Sequence, residues 1–203
     1  MTTISLTAFL KILTKGTPQK VREYGRYLTP GGYAFYWQLK EAAHALTVGG
    51  ESFADCAKPI EESAREVERK HNLDGLKSLR KWVEKNALTE FFGAPAGACS
   101  SPGGFVSIKL EPEFGIVSKG QHRIVQLWNS KGSNLTRTVA GVGIFLLEKN
   151  LCVGDFAHCK AGILDLRKRE IYVTDALPAN IEAMVQSEFA WLDGFFKQYS
   201  KAA

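Results

Sequence analysis

Apolar residues recur every three or four positions up to Val83, and at every second position in the short stretches that begin at Phe105. This change of period constrains the fold most. A period near 3.6 buries one face of a helix, and a period of two buries one face of a strand. Leu6, Phe9, Leu10 and Leu13 predict a first helix with Ser5 as its cap. Thr17-Pro18 opens a second, which runs through Val21, Tyr24 and Leu28 to the stop signal Pro30-Gly31-Gly32. Phe35, Leu39, Ala42, Ala43 and Leu46 mark a third over 33–48, ended by Gly49-Gly50. A fourth, capped by Ser52, is expected to reach His71 with a kink or split at Pro59. Asn72 and Asp74 then mark a break before a fifth helix around Leu76, Leu79, Trp82 and Val83, ending near Asn86.

Beyond Leu88 the character changes. Residues 93–104 read as a loop of Gly, Ala, Ser and Pro. Strands are expected over 105–110, 115–117 and 123–128, the last two joined around Lys119-Gly120. A helix starting at Asn134 or Thr136 follows, with Gly141 and Gly143 allowing close packing. Strands over 162–166 and 170–174 flank the turn Arg167-Lys168-Arg169, and Pro178 opens a long amphipathic final helix. The expected class is α+β: a helical region 1–88, then a sheet-containing region 89–203 with a small, mainly antiparallel sheet in the order β-β-β-α-β-β-α, flanked by helices. One compact domain overall is compatible with that division.

No apolar run approaches the roughly 20 residues needed to cross a bilayer, and Met1–Ser5 has no basic segment ahead of an apolar one. The four cysteines are irregularly spaced, which reads as free thiols in a reducing, cytoplasmic setting. Net charge is +5. Residues 1–89 hold 14 Lys/Arg against 10 Asp/Glu, and the remainder 12 against 11, so the excess is mostly N-terminal. A modest excess of this kind suits an acidic partner or nucleic acid without specifying either.

Lys11, Lys15, Lys20, Arg22 and Arg26 cluster in the first two helices against Glu23 alone, and Lys77, Lys81 and Lys85 lie on the fifth around Trp82. Such groups contact phosphates, and the aromatic run Tyr33, Phe35, Tyr36, Trp37 offers rings on which bases stack. Solvated helix faces and a core stripe account for the same residues. Cys152, Asp155, His158 and Cys159 are of metal-ligating types but lack paired spacing, so no metal is expected. Cys99, in the small-residue loop, could act as a nucleophile if His122 or His158 served as its base. Gly103-Gly104 lack the Gly-Lys-Ser/Thr ending of a phosphate-binding loop.

The order helix, three strands, helix, strands resembles that of the PD-(D/E)XK nuclease-like fold. The resemblance implies an acidic residue on the second strand and an acid-x-Lys on the third, together holding Mg²⁺. Glu111 or Glu113 matches the first position, whereas Gln126 and Trp128 occupy the acid and Lys positions, with Lys131 past the strand end. Gln carries no charge for a metal, and Trp cannot stabilise a leaving oxygen. An inactive or altered core is therefore implied. The leading expectation is a non-enzymatic intracellular interaction or regulatory protein that binds a macromolecular partner, protein or nucleic acid, without a cofactor or a membrane. Alternatives are a nucleic-acid-acting protein on that divergent core, and a cysteine-dependent enzyme.

Overall fold

Ser5 caps α1 (Leu6–Leu13) by accepting from the Ala8 amide at 3.3 Å, and Pro18 sits in the first turn of α2 (Thr17–Gly25). A short 3-10 turn, Arg26–Leu28, continues α2. Ser52 caps α4 (Phe53–Glu61), and Thr136 caps α6 (Arg137–Leu151). The other helices are α3 (Trp37–Thr47), α5 (Glu66–Lys85) and α7 (Ile181–Ser200). The computed structural model describes residues 1–29, 34–63, 65–87, 89–174 and 179–200. Pro30-Gly31-Gly32, Tyr33 and Pro178, all given weight above, lie outside the described residues.

The strands form two mixed sheets. In the larger, β2 (Glu90–Phe92), β5 (Phe114–Ser118), β6 (Gln121–Trp128), β7 (Lys160–Asp165) and β8 (Glu170–Val173) lie side by side in chain order. All neighbours are antiparallel except β6 and β7, which run parallel because α6 carries the chain back between them. Lys119 and Gly120 turn β5 into β6 with φ of 51° and 74°, the paired positive values of a two-residue hairpin turn. In the smaller sheet, β1 (Thr2–Ser5) runs parallel to the central β4 (Val106–Leu110), and β3 (Gly97–Ser100) antiparallel to it.

Alternation along the larger sheet divides its side chains between two cores. Phe114, Ile116, Val125, Leu127 and Leu164 pack against Leu39, Ile60, Leu76, Leu79 and Trp82 of α3, α4 and α5. Ile124, Trp128, Ala161 and Ile163 face a second core, with Phe9 and Leu10 of α1, Ile144 and Leu147 of α6, Phe189 and Leu192 of α7, and Ile108 of β4. This is the α+β class the sequence implied, with helices on both faces of the larger sheet. At Gly143 an added Cβ would lie 2.5 Å from Ile163 and 2.7 Å from Leu10, so its bare backbone is what lets α6 sit this close.

Several elements depart from expectation. The small-residue stretch contains β3. Expected strand 105–110 becomes β4 and joins the smaller sheet, so the three-strand meander is β2-β5-β6. Pro59 is accommodated inside α4, and the chain breaks between Glu61 and Glu66 instead. Asn72 and Asp74 lie within α5, where Asn72 donates to the Glu68 and Phe35 carbonyls at 3.0 Å each.

Candidate functional site

Glu113 immediately precedes β5, and because Phe114 pairs with Val125, it stands opposite Gln126 on β6. Its carboxylate is 2% exposed. Gln126 Nε2 donates to both oxygens at 2.9 Å, the Leu127 amide donates at 2.6 Å, and Lys40 Nζ of α3 lies 3.0 Å away. The carboxylate thus replaces the backbone partner that β6 lacks where β5 ends. Burial pushes the Glu113 carboxyl above the ordinary range, and Lys40 and the Leu127 amide oppose that rise. The arrangement does not fit a divalent cation. It has a single carboxylate, whose oxygens face N–H donors, and an ammonium group fills the remaining approach. Trp128 is buried in the core beneath α1 and α6.

Glu111 stands apart, paired on the surface with Lys109 at 2.9 Å. Lys131 belongs to a different place, the basic groove described below. Lys40 had no signal in the sequence, since nothing in a helix pattern pairs it with a strand residue seventy positions on.

Cys99 lies on β3 with its thiol pushed up by burial, against a lowering from Asn150 and Lys149. The histidines proposed as its base are engaged elsewhere. His122 and His158 pack ring against ring at 4.7 Å, and His158 Nε2 lies 3.7 Å from Cys159 Sγ. Cys159 is buried while Asp155 and His158 point outward, and among the described residues no three His, Cys, Asp or Glu side chains gather where they could hold a metal ion. The amides of the small-residue loop are also taken. Asp193 of α7 accepts from the Gly103 amide at 2.7 Å, from the Phe105 amide at 3.3 Å and from the Ser101 hydroxyl.

The basic residues divide three ways. Lys20 pairs with Glu188 of α7 at 2.6 Å, and Arg22 stays on the surface near Glu23. Lys77, Lys81 and Lys85 run along the exposed face of α5. Lys11, Lys15 and Arg26, however, meet Lys131 around one groove of about 920 Å³. Lys11 lies in the last turn of α1, and Lys15 follows just past its C-terminal cap, Thr14. The 3-10 turn contributes Arg26 and Tyr27, β1 contributes Thr2 and Thr3, and the β6–α6 loop contributes Lys131, Gly132 and Ser133. Glu23 is the one carboxylate among the lining residues, and it pairs with Arg26 at 2.7 Å. Lys11, Lys15 and Lys131 have no ion-pair partner among the described residues, which leaves the groove cationic. Tyr27 and Ser133 were not singled out from the sequence. Gly132, placed among polar residues directly after a strand, was the available sign of a shaped loop.

No protein-family model and no curated protein matches the chain. Among the described residues, no helix is long and apolar enough to cross a membrane.

Proposed function

We propose that this protein is a non-enzymatic nucleic-acid-binding protein that takes a single-stranded polyanion in the groove between α1, the Arg26–Leu28 turn and the 131–133 loop. The observation that carries the reading is the meeting of Lys11, Lys15, Arg26 and Lys131 around one concavity with a single carboxylate. Of these, Lys11, Lys15 and Lys131 have no ion pair among the described residues, and such cations in a groove raise the local concentration of a polyanion and release its counterions on contact. The half-buried Tyr27 adds a ring on which a base can stack. A flat basic face would serve an acidic protein equally well; a groove with an aromatic wall favours a strand of nucleotides.

The sheet supports the same reading. Its order β2-β5-β6-β7-β8, with α5 before it and α6 crossing between the parallel pair, is compatible with the nuclease-like order, with β2 in the place expected of strand 105–110. Glu113 and Gln126 meet where the metal-binding acids of such a core would stand, but the donors around Glu113 do not suit a cation. Binding without cleavage fits both features. Four free thiols suit a reducing compartment, and so a cytoplasmic location.

The test is fluorescence anisotropy with labelled single- and double-stranded DNA and RNA at low and physiological salt, with Mg²⁺ and then with EDTA, followed by a denaturing gel of the same samples. The expected result is binding that weakens with salt, strongest for single strands, and intact nucleic acid on the gel. No binding at low salt would overturn the reading and point to an acidic protein partner. Cleavage that needs Mg²⁺ and is lost in Glu113→Gln would overturn its non-enzymatic part.

A further inference from the structure

Beside its lysines, the groove is lined by a buried serine whose hydroxyl has no partner among the described residues. Ser133 is 6% exposed, it lines the groove, and its hydroxyl makes no hydrogen bond among the described residues. Ser130, in the same loop and 3% exposed, is in the same state. Buried hydroxyls are ordinarily satisfied, so an orphan in a residue that lines a concavity is a candidate to meet an outside acceptor once the loop yields to a ligand. The loop around it is shaped for an anion. Gly132 takes a φ of 82°, which lets the chain turn between Lys131 on the outside and Ser133 on the inside. Lys131 has no ion pair among the described residues, and Lys11 of α1 and Lys15 just beyond that helix line the same concavity.

We infer that the Lys131–Ser133 loop is a phosphate-binding subsite, in which the Ser133 hydroxyl donates to a phosphate oxygen and Lys131, with Lys11 and Lys15, neutralises its charge. The inference rests on the proposed nucleic-acid reading and narrows it to the group recognised. A phosphate offers several acceptor oxygens and up to two negative charges, matching one hydroxyl donor and several ammonium groups better than a lone carboxylate does. The phosphate is either a terminal monoester or a diester of the backbone.

The experiment uses ten-nucleotide oligothymidylates labelled at the 3′ end, one with a 5′-phosphate and one with a 5′-hydroxyl. Binding to the full chain is compared with Ser133→Ala, Lys131→Ala and the double variant Lys11→Ala/Lys15→Ala. Ser133→Ala removes a hydroxyl that has no partner among the described residues, so its melting temperature should not fall, and an effect on binding reports the ligand. Losing one hydrogen bond to a charged group is expected to weaken binding about tenfold. A loss confined to the 5′-phosphorylated strand supports a terminal-phosphate subsite. An equal loss on both strands supports a backbone one. If Ser133→Ala and Lys131→Ala bind both strands as the unaltered protein does, while Lys11→Ala/Lys15→Ala binds weakly, the subsite is overturned and the groove stands. If the unaltered protein binds neither strand, both readings fall.

Discussion

Replacing Glu113 by Ala should destabilise the protein more than replacing it by Gln. The carboxylate accepts from the Leu127 amide and from both positions of the Gln126 contact, and it neutralises Lys40. Alanine leaves the Leu127 donor and the Gln126 amide without partners in a buried place, each costing about 1–3 kcal/mol. Together the two orphaned donors should cost about 3–5 kcal/mol, while Lys40, 33% exposed, can turn to water. For a chain of this size that corresponds to a fall in melting temperature of about 6–20 °C. Glutamine keeps an oxygen for the Leu127 amide and loses mainly the pairing with Lys40, so its cost should be nearer 1 kcal/mol. The comparison also has a pH signature. Because burial holds the folded Glu113 above its unfolded value, its contribution is fully present below the unfolded pKa of about 4.3 and is lost as pH rises through the folded value. Stability relative to Glu113→Gln should therefore decline over that window and then level off. Thermal unfolding followed by circular dichroism between pH 4 and 8 measures both. Equal melting temperatures for the unaltered protein and Glu113→Ala at every pH would refute the tie between β5, β6 and α3.

Two further outcomes follow from the same contacts. Asp193→Ala should cost about 2–3 kcal/mol in a urea titration and speed amide exchange at Gly103 and Phe105, since one carboxylate holds that loop to α7; unchanged exchange would show that the loop is held some other way. Burial and the nearby Glu148 push the Cys152 thiol up to about 11, so at neutral pH its thiolate fraction should be roughly three hundredfold below that of an unperturbed thiol of pKa about 8.5, and iodoacetamide should label it correspondingly slowly. Rapid labelling would contradict that placement.

Elements whose signal is local were legible in the sequence: Ser5 and Thr136 as caps, Lys119-Gly120 as a hairpin turn, and the alternation of Ile124 to Trp128. Elements specified by distant partners were not. β1 is four residues long with only Ile4 buried, and it exists because it pairs with β4 about a hundred residues away. β3 is built from Gly, Ala, Cys and Ser, which have little strand preference of their own, and it is held by the same central strand. Pro59 signalled a kink or split, and the stretch is divided into two helices, but α4 keeps the proline and ends two residues later at Glu61, with the fully buried Ile60 holding that turn. For the candidate site, Glu113 and Gln126 were linked only through the nuclease-like resemblance, which also grouped Glu111 with them, whereas Lys40 enters from a helix that packs on the sheet. Lys131 was read with the acidic residues because it lies near them in sequence. The fold places it with Lys11, Lys15 and Arg26, since its loop leaves β6 toward α1.

The most direct measurement of the central claim is the salt dependence of binding to a single-stranded oligonucleotide, for the unaltered protein and for the triple variant Lys11→Ala/Lys15→Ala/Lys131→Ala. Three lysines on phosphates of a single strand should contribute about 2 to the slope of log K against log salt. The expected result is that the variant loses about that much slope, together with most of its affinity at low salt. A variant that binds as tightly as the unaltered protein, with the same slope, would contradict the claim that this groove takes nucleic acid.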